Sequence, residues 1–407
     1  MEGPGTIPTR ADGGTERRLT ALLTCAMAFS MLQLFLIGAL GPRLVDELGV
    51  SPAVLGLTTT LGFGTAALLS PAGGRIVDRA GPRRSLVALL LVSAAALALI
   101  GAAPGAGLLL GAVALGGVPQ ALANPATNKA VLRAVDPARR AAVTGLKQSG
   151  VQLGAFAAGL PLAVLAAGIG WRGAVWTAAG SALLAAVWAL RALPDDPPAP
   201  PAPAPPAPSA AAPRGALLPQ GMVGRLAVFS VFLGAGIASV NTYLALFGAQ
   251  RLGMGPTTAG ALIAVLGVTG IAGRIGWSKA ARPGRAEWLP GGLACGAVGA
   301  ALLLCAALLA SPLVWIGAVA VGVFAVSGNA VSMVLVVQRA APGRAGQDSA
   351  LVAAGFFAGF AVGPPLFGLL AGSDRYGYGW LLVAVEFAAA GAVAFAWAAR
   401  DRREATA

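Results

Sequence analysis

The chain has 407 residues, of which 57% are hydrophobic and only 11% are charged. A soluble protein carries about 25% charged residues, so this composition excludes an ordinary soluble protein. The formal net charge of +13 would suggest a nucleic-acid partner in a soluble protein, but here the basic residues lie between apolar runs and indicate membrane topology. The sequence has no histidine, the commonest metal ligand, and its three cysteines lie within apolar runs. We therefore expect a multi-pass membrane protein without a metal site, a cofactor or a disulfide framework.

Twelve apolar runs follow a polar N-terminal segment, and each is near the roughly 20 residues that a membrane-spanning helix needs. A cleaved signal peptide is the weaker interpretation of the first run, since its apolar region would be shorter. Residues 194–213 contain ten prolines interleaved with alanine, which cannot form a spanning helix and predict an extended linker. The predicted spans are 19–41, 52–74, 86–103, 106–128, 143–169 and 172–193 before the linker, and 223–248, 255–278, 288–310, 312–337, 349–371 and 378–399 after it.

The predicted architecture is an all-α integral membrane protein with two six-helix bundles. It comprises an N-terminal tail at 1–18, a first bundle at 19–193, a Pro/Ala-rich linker at 194–221, a second bundle at 222–399 and a C-terminal tail at 400–407. If both tails and the linker are cytoplasmic, the cytoplasmic segments hold 24 Lys and Arg residues and the other side holds 4. This bias favours cytoplasmic termini in a bacterial inner membrane.

The segment at 74–86, between the second and third spans, carries the most specific motif. It resembles the signature loop between helices 2 and 3 of the major facilitator superfamily of secondary transporters, whose pattern is Gly-x-Leu-x-Asp-Arg-x-Gly-Arg-Lys-x-x-Leu. A plain positively charged turn is the alternative interpretation. The segment matches the pattern at Gly74, Asp78, Arg79, Gly81 and Leu86, has close substitutes at Ile76 and Arg83, and departs from it at Pro82.

The resemblance implies that this segment is a gating loop. Asp78 can accept hydrogen bonds from a helix start, and we expect it to close the cytoplasmic side against the start of span 11, at 346–348. The glycines permit close backbone approach, and the arginines can pair with the carboxylate or with lipid phosphate. The predicted gating residues are Gly74, Asp78, Arg79, Gly81, Arg83 and Arg84.

The two halves of the chain resemble each other, which supports the two-bundle prediction. Residues 48–56 match residues 252–260, and the order of several further landmarks is shared. Chance matches among Gly/Ala-rich helices are the alternative. A pair of six-helix repeats is how a major facilitator chain is built, and the resemblance implies that helices 1, 4, 7 and 10 line a central cavity.

The repeat aligns four intramembrane amides in two pairs: Asn124 with Asn329, and Gln33 with Asn241. Polar groups in a spanning helix are costly unless they face protein or water, and amides offer both donors and acceptors. We therefore predict that these amides contact substrate, although hydrogen bonding between helices would also explain them. The full predicted cavity set is Gln33, Asn124, Asn128, Gln148, Gln152, Asn241, Tyr243 and Asn329.

Few charged residues are available to bind a charged substrate or to couple transport to a proton or ion. The candidates are Lys129, Lys147, Asp348 and Glu386, and snorkelling to the interface is the alternative for the two lysines. Helix 4 lacks the arginine of many drug/proton antiporters, with Gly117 near its place, and residues 159–161 depart from the antiporter pattern of helix 5.

These features predict a transporter that moves a small polar or anionic solute by alternating access, as a monomer and without nucleic acid. Export of drugs or secondary metabolites by the same fold is the alternative, and direction and substrate charge distinguish the two. A membrane-embedded enzyme or a receptor is the third hypothesis. No clustered intramembrane carboxylates, cysteine pair or nucleotide-binding loop supports catalysis, so we predict that the protein is not an enzyme.

Overall fold

The computed structural model describes residues 13–196, 222–280, 288–339 and 345–406, and all regular structure in these ranges is helical. The first half contains α1 (Gly13–Ala39), α2 (Gly41–Leu48), α3 (Pro52–Ala80), α4 (Pro82–Gly101), α5 (Ala106–Leu115), α6 (Gly117–Ala134), α7 (Arg140–Gln148), α8 (Gly150–Ala157) and α9 (Ala163–Ala192). The second half contains α10 (Met222–Leu252), α11 (Pro256–Ala280), α12 (Leu289–Ala306), α13 (Leu313–Ala320), α14 (Val326–Arg339), α15 (Ala345–Gly372) and α16 (Tyr376–Thr406).

The described residues contain eleven helical stretches that are long and apolar enough to span a membrane. One stretch, Ala142–Ala192, has 51 residues, more than twice the roughly 20 that one crossing needs. Gly170 interrupts it with a φ of 77°, a left-handed conformation that favours glycine, so this stretch supplies spans 5 and 6. The twelve-span prediction is confirmed.

Two spans pass through π-helical turns. Span 5 passes through a π-helical turn at Ala158–Leu162, which contains Pro161. Proline removes a backbone donor, and a local π-turn accommodates that loss. Span 10 combines α13 and α14 through a second π-helical turn, Val321–Ala325.

Helices extend into both segments predicted to be tails. α1 begins at Gly13 and α16 ends at Thr406, whereas the predicted tails cover 1–18 and 400–407. Glu16 lies in the first turn of α1, where the helix dipole stabilises its negative charge, and its carboxylate pairs with Arg139 at 3.1 Å. These interactions explain why the helix begins before the apolar run. Most of the predicted linker lies outside the described residues.

Three sets of helix contacts account for most of the interface between the halves. α1 packs on α10, α3 packs on α15, and α8 with its following π-turn packs on α11. The repeat relates span 2 to span 8 and span 5 to span 11. The contact of α3 with α15 and the contact of α11 with span 5 are therefore equivalent by the repeat. Such equivalence is expected for two similar bundles around a pseudo-twofold axis.

Glycines bring the backbones of the two halves into direct contact. A Cβ atom on Gly38 would lie 2.0 Å from the carbonyl oxygen of Asn241. A Cβ on Gly159 would lie 2.2 Å from the amide nitrogen of Ala264. No larger residue fits without separating the helices, and close approach at small residues is the usual basis of helix packing in lipid.

Hydrogen bonds between the halves lie toward the membrane face opposite the predicted cytoplasmic one. The Tyr243 hydroxyl donates to the Pro52 carbonyl at 2.7 Å, the Thr59 and Thr242 hydroxyls are 3.1 Å apart, and the Thr60 hydroxyl donates to the Ala361 carbonyl at 2.6 Å. At the other end, within the described residues, neither α6 nor α7 packs against the second half. The structure is therefore sealed at the opposite face, while the inner ends of spans 4 and 5 stand apart from the second half.

Two glycines of α3 test whether this seal contributes to stability. In Gly56→Ala the new Cβ would lie 2.6 Å from the Tyr243 hydroxyl and 2.7 Å from the Pro364 carbonyl oxygen. We expect thermal unfolding in detergent to show destabilisation of about 1–3 kcal/mol, as in overpacked cores. Gly64→Ala on the same helix is the control, because its Cβ would meet nothing within 4 Å. Equal melting temperatures for the two variants would contradict the account.

Candidate functional site

Lys147 is fully buried within the first half, at the end of α7. Its ammonium group donates to the Thr127 hydroxyl at 2.6 Å and to the Asn128 side-chain oxygen at 2.7 Å. Both partners belong to α6 and both are uncharged. Among the described residues, no carboxylate forms an ion pair with this ammonium group. A buried charge is thus held by hydrogen bonds alone.

A second side-chain pair lies one helical turn deeper. The Gln148 amide nitrogen donates to the Asn124 side-chain oxygen at 2.9 Å. Asn124 and Asn128 are four residues apart, share one face of α6, and are both exposed. Asn124 lies ten residues before the end of its helix, which is about 15 Å at 1.5 Å per residue. Because the predicted span 4 ends at 128, Asn124 lies about one helical turn inside the end of that span.

The other predicted amides lie at different surfaces. Gln33 turns toward span 4 and donates to the Val113 carbonyl at 3.3 Å. Asn241 and Gln152 are buried at the contact between the halves, beside Gly38 and Gly270 respectively. Within the described residues, the side-chain oxygens of Gln152, Asn241 and Asn329 have no hydrogen-bond partner. Asn329, like Asn124, lies ten residues before the end of its helix.

Tyr243 belongs to the seal between the halves. Its hydroxyl bonds to Pro52, and its ring stacks on Phe367 with the ring centroids 4.6 Å apart. It is completely buried. The sequence placed this residue in the cavity set, whereas its contacts place it at the opposite-face closure.

The two acidic candidates for the coupling charge belong to the second half of the chain, whereas Lys147 belongs to the first. Glu386 is buried in α16, which packs on α10 and α12, so it lies in the other half from Lys147. One of its carboxylate oxygens has no hydrogen-bond partner among the described residues. The side chain of Asp348, predicted to face the gating loop, lies outside the described residues.

Most of the gating segment is helical, because α3 continues to Ala80. Gly81 alone makes the turn, with a φ of 86°. A Cβ on Gly74 would meet nothing within 4 Å, so the close approach predicted there is not found. The ammonium of Lys129 binds the Asp78 carboxylate at 2.9 Å and also two carbonyls at the end of α3. The described partner of Asp78 therefore lies within its own half.

Asp196, at the start of the linker, binds the first turn of α4. Its carboxylate accepts the backbone N–H groups of Arg83 at 3.2 Å and Arg84 at 2.9 Å, and it pairs with Arg133 at 3.3 Å. Only 3% of this side chain is exposed. A Cβ on Gly81 would collide with the carboxylate, which explains why glycine stands there. The carboxylate thus caps α4 from a distant part of the sequence.

Sequence analysis assigned Asp195 and Asp196 only to the linker and missed this capping role. The available signal was an adjacent acidic pair immediately after span 6, in a protein with 15 acidic residues and an arginine-rich gating segment. Arg83 completes the contact by pairing with Asp195 and donating to the Leu190 carbonyl at 2.6 Å. The start of the linker therefore belongs structurally with the first half.

Two six-helix halves with a sealed face and polar groups within their spans define a membrane transporter of the two-bundle class. Residues 23–349 match the Major Facilitator Superfamily. The chain belongs to this family. No curated protein matches the sequence.

Solved structures share the fold at low sequence identity. A bacterial homologue of the human lysosomal transporter Spinster, inward-facing and unoccupied, has a TM-score of 0.76 and 16% identity, with 95% of this chain and 98% of that chain covered. Its inward-facing, occupied form has a TM-score of 0.75 and 16% identity, with 96% and 98% covered. The human organic anion transporter MFSD10 (TETRAN) has a TM-score of 0.66 and 16% identity, with 93% and 99% covered.

The capping contact predicts unequal effects for the two adjacent aspartates. Asp196→Ala removes the acceptor for two helix N–H groups, so we expect a loss of about 1–2 kcal/mol in thermal unfolding. Asp195→Ala is the matched control; its side chain is 89% exposed, and exposed ion pairs contribute little. If the two variants are equally stable, Asp196 does not cap α4.

Proposed function

We propose that this protein is a secondary transporter that moves a small polar or anionic solute across the bacterial inner membrane by alternating access. Both termini and the linker are cytoplasmic in this proposal. One chain suffices, since a monomer carries both bundles and the cavity between them. A proton or another ion supplies the driving force.

The observation that carries this proposal is the asymmetry of the contact between the halves. Backbone contacts at Gly38 and Gly159 and the Tyr243–Pro52 hydrogen bond join the halves toward the opposite face. The inner ends of spans 4 and 5 make no such contact within the described residues. Alternating access requires one face to close while the other stays accessible.

The chemistry of the cavity supports a polar or anionic solute. Exposed amides at Asn124 and Asn128 stand beside the buried charge of Lys147. A drug-type cavity would instead be lined mainly by apolar and aromatic groups. The human neighbour described as an organic anion transporter is compatible with this choice.

Two buried groups are candidates for the coupling charge. Lys147 and Glu386 are both buried and both lie within predicted spans. An ionisable group inside a membrane is costly and is usually functional. They lie in different halves, so a coupling role for either one can be tested separately.

A reversible cross-link tests alternating access directly. Cysteines replace Thr59 and Thr242, whose hydroxyls are 3.1 Å apart across the seal, in a background without the native cysteines at 25, 295 and 305. Counterflow of small polar and anionic solutes into proteoliposomes is then measured. We expect oxidation to abolish counterflow and a reductant to restore it, because transport requires the seal to open. The single-cysteine variants are the controls, and unchanged counterflow in the oxidised double variant would refute the mechanism.

A further inference from the structure

The orientation of one exposed amide is fixed by chemistry. An ammonium group can only donate hydrogen bonds, so the Asn128 atom that contacts Lys147 at 2.7 Å must be the oxygen. The amide NH2 group of Asn128 then points away from Lys147. Asn128 is exposed, so its two N–H donors are available to a ligand.

Asn124 lies one turn deeper and pairs with another amide, that of Gln148. Its side-chain oxygen accepts from Gln148, which leaves its NH2 group unoccupied by that contact. Residues four apart on a helix have their Cβ atoms about 5–6 Å apart, so the two NH2 groups form one patch of donors. Asn128 is the member of this pair whose orientation the Lys147 ammonium fixes.

The positive charge of Lys147, which contacts Asn128, has no carboxylate partner among the described residues. Lys147 has three N–H donors, and its two hydrogen-bond partners among the described residues are the neutral Thr127 and Asn128. The neighbouring lysine shows the opposite arrangement, because the ammonium of Lys129 binds the Asp78 carboxylate at 2.9 Å. Coulomb attraction is strong at low effective dielectric, so a buried uncompensated cation favours an anion nearby.

We propose that Asn124, Asn128 and Lys147 form a carboxylate-binding site, and that the transported solute is a small organic carboxylate. This inference rests on the proposed transport function and narrows its substrate class. A carboxylate has two oxygens that together accept several hydrogen bonds, which matches two adjacent NH2 groups backed by a positive charge. Lys147 acts partly through Asn128, whose oxygen it holds.

The test compares carboxylates with their primary amides on the purified full-length protein. The probe pairs are acetate and acetamide, lactate and lactamide, and benzoate and benzamide, with thermal unfolding as the readout, since ligands that bind the folded state raise its stability. We expect at least one carboxylate to stabilise the protein and its amide to have no effect. Stabilisation by both members of each pair, or by no carboxylate, would overturn the proposal.

Matched variants assign the effect to Lys147. Lys147→Gln removes the positive charge behind the amide donors, so it should weaken the carboxylate's affinity at least about tenfold. Lys129→Gln, which removes a lysine already paired with Asp78, should leave that affinity unchanged. If Lys147→Gln fails to fold, Asn128→Asp replaces it, because a near-isosteric carboxylate would pair with Lys147 and exclude the anion. Undiminished affinity in Lys147→Gln, or in Asn128→Asp where that variant replaces it, would overturn the proposal.

A chemical probe measures the same charge without a ligand. In the background without native cysteines, Asn124→Cys is labelled with an anionic and a cationic thiosulfonate, and the ratio of the two rates reports the local potential. We expect Lys147→Gln to lower this anionic-to-cationic ratio and Lys129→Gln to leave it unchanged. An unchanged ratio in Lys147→Gln would overturn the proposal.

The outcomes separate this site from the proposed function. If only neutral probes bind, and their counterflow stops under the Thr59–Thr242 cross-link, the carboxylate site fails and the transport function stands. If carboxylates bind through Lys147 but no counterflow occurs, the site stands and the transport function fails.

Discussion

The direct backbone contact between the two halves is the constraint on which the rest of the structure depends. Lipid supplies no hydrophobic drive between helices, so association rests on close packing and hydrogen bonds. Gly38 against Asn241 and Gly159 against Ala264 leave no room for a side chain. Because these contacts lie toward one membrane face, they decide which end of the cavity is closed. Alternating access requires these contacts to break and reform.

A second constraint is electrostatic and distinguishes two lysines near the predicted cytoplasmic ends of spans 4 and 5. Lys129 is paired with Asp78 and ties the end of α3 to α6. Lys147 is buried with neutral partners only among the described residues. The first arrangement holds the end of α3, and the second leaves the Lys147 ammonium without a carboxylate partner among the described residues. Asp196 contributes to the same region, because it caps α4 and pairs with Arg133.

The fold could be predicted from the sequence because the constraints that a membrane imposes on a protein are visible in the order of residues along the chain. Span length, proline content and the distribution of basic residues follow directly from order along the chain. The repeat likewise predicted two similar bundles, and Gly56 and Gly260, matched by that repeat, both lie at contacts between the halves.

The site was less predictable, because it depends on contacts across helices. Asn124, Asn128, Gln148 and Lys147 were all candidates, yet only the structure pairs them. Tyr243 illustrates the limit: a polar aromatic in a cavity-lining span has no sequence signal that distinguishes a ligand contact from a seal. Asp196 was missed because its partners lie more than 60 positions away in sequence. The substrate roles of the amides stay predictions.

The most direct test of the account measures both faces of the protein at once. Spin labels at Leu132 and Ile275 report the predicted cytoplasmic ends of the two halves, and labels at Ile169 and Leu309 report the opposite face; all four side chains are exposed. Pulsed electron-electron distance measurements in proteoliposomes, with and without a stabilising solute, give both separations. The account predicts two populations in which one distance shortens as the other lengthens. A single distance at each face, unaffected by solute, would contradict alternating access.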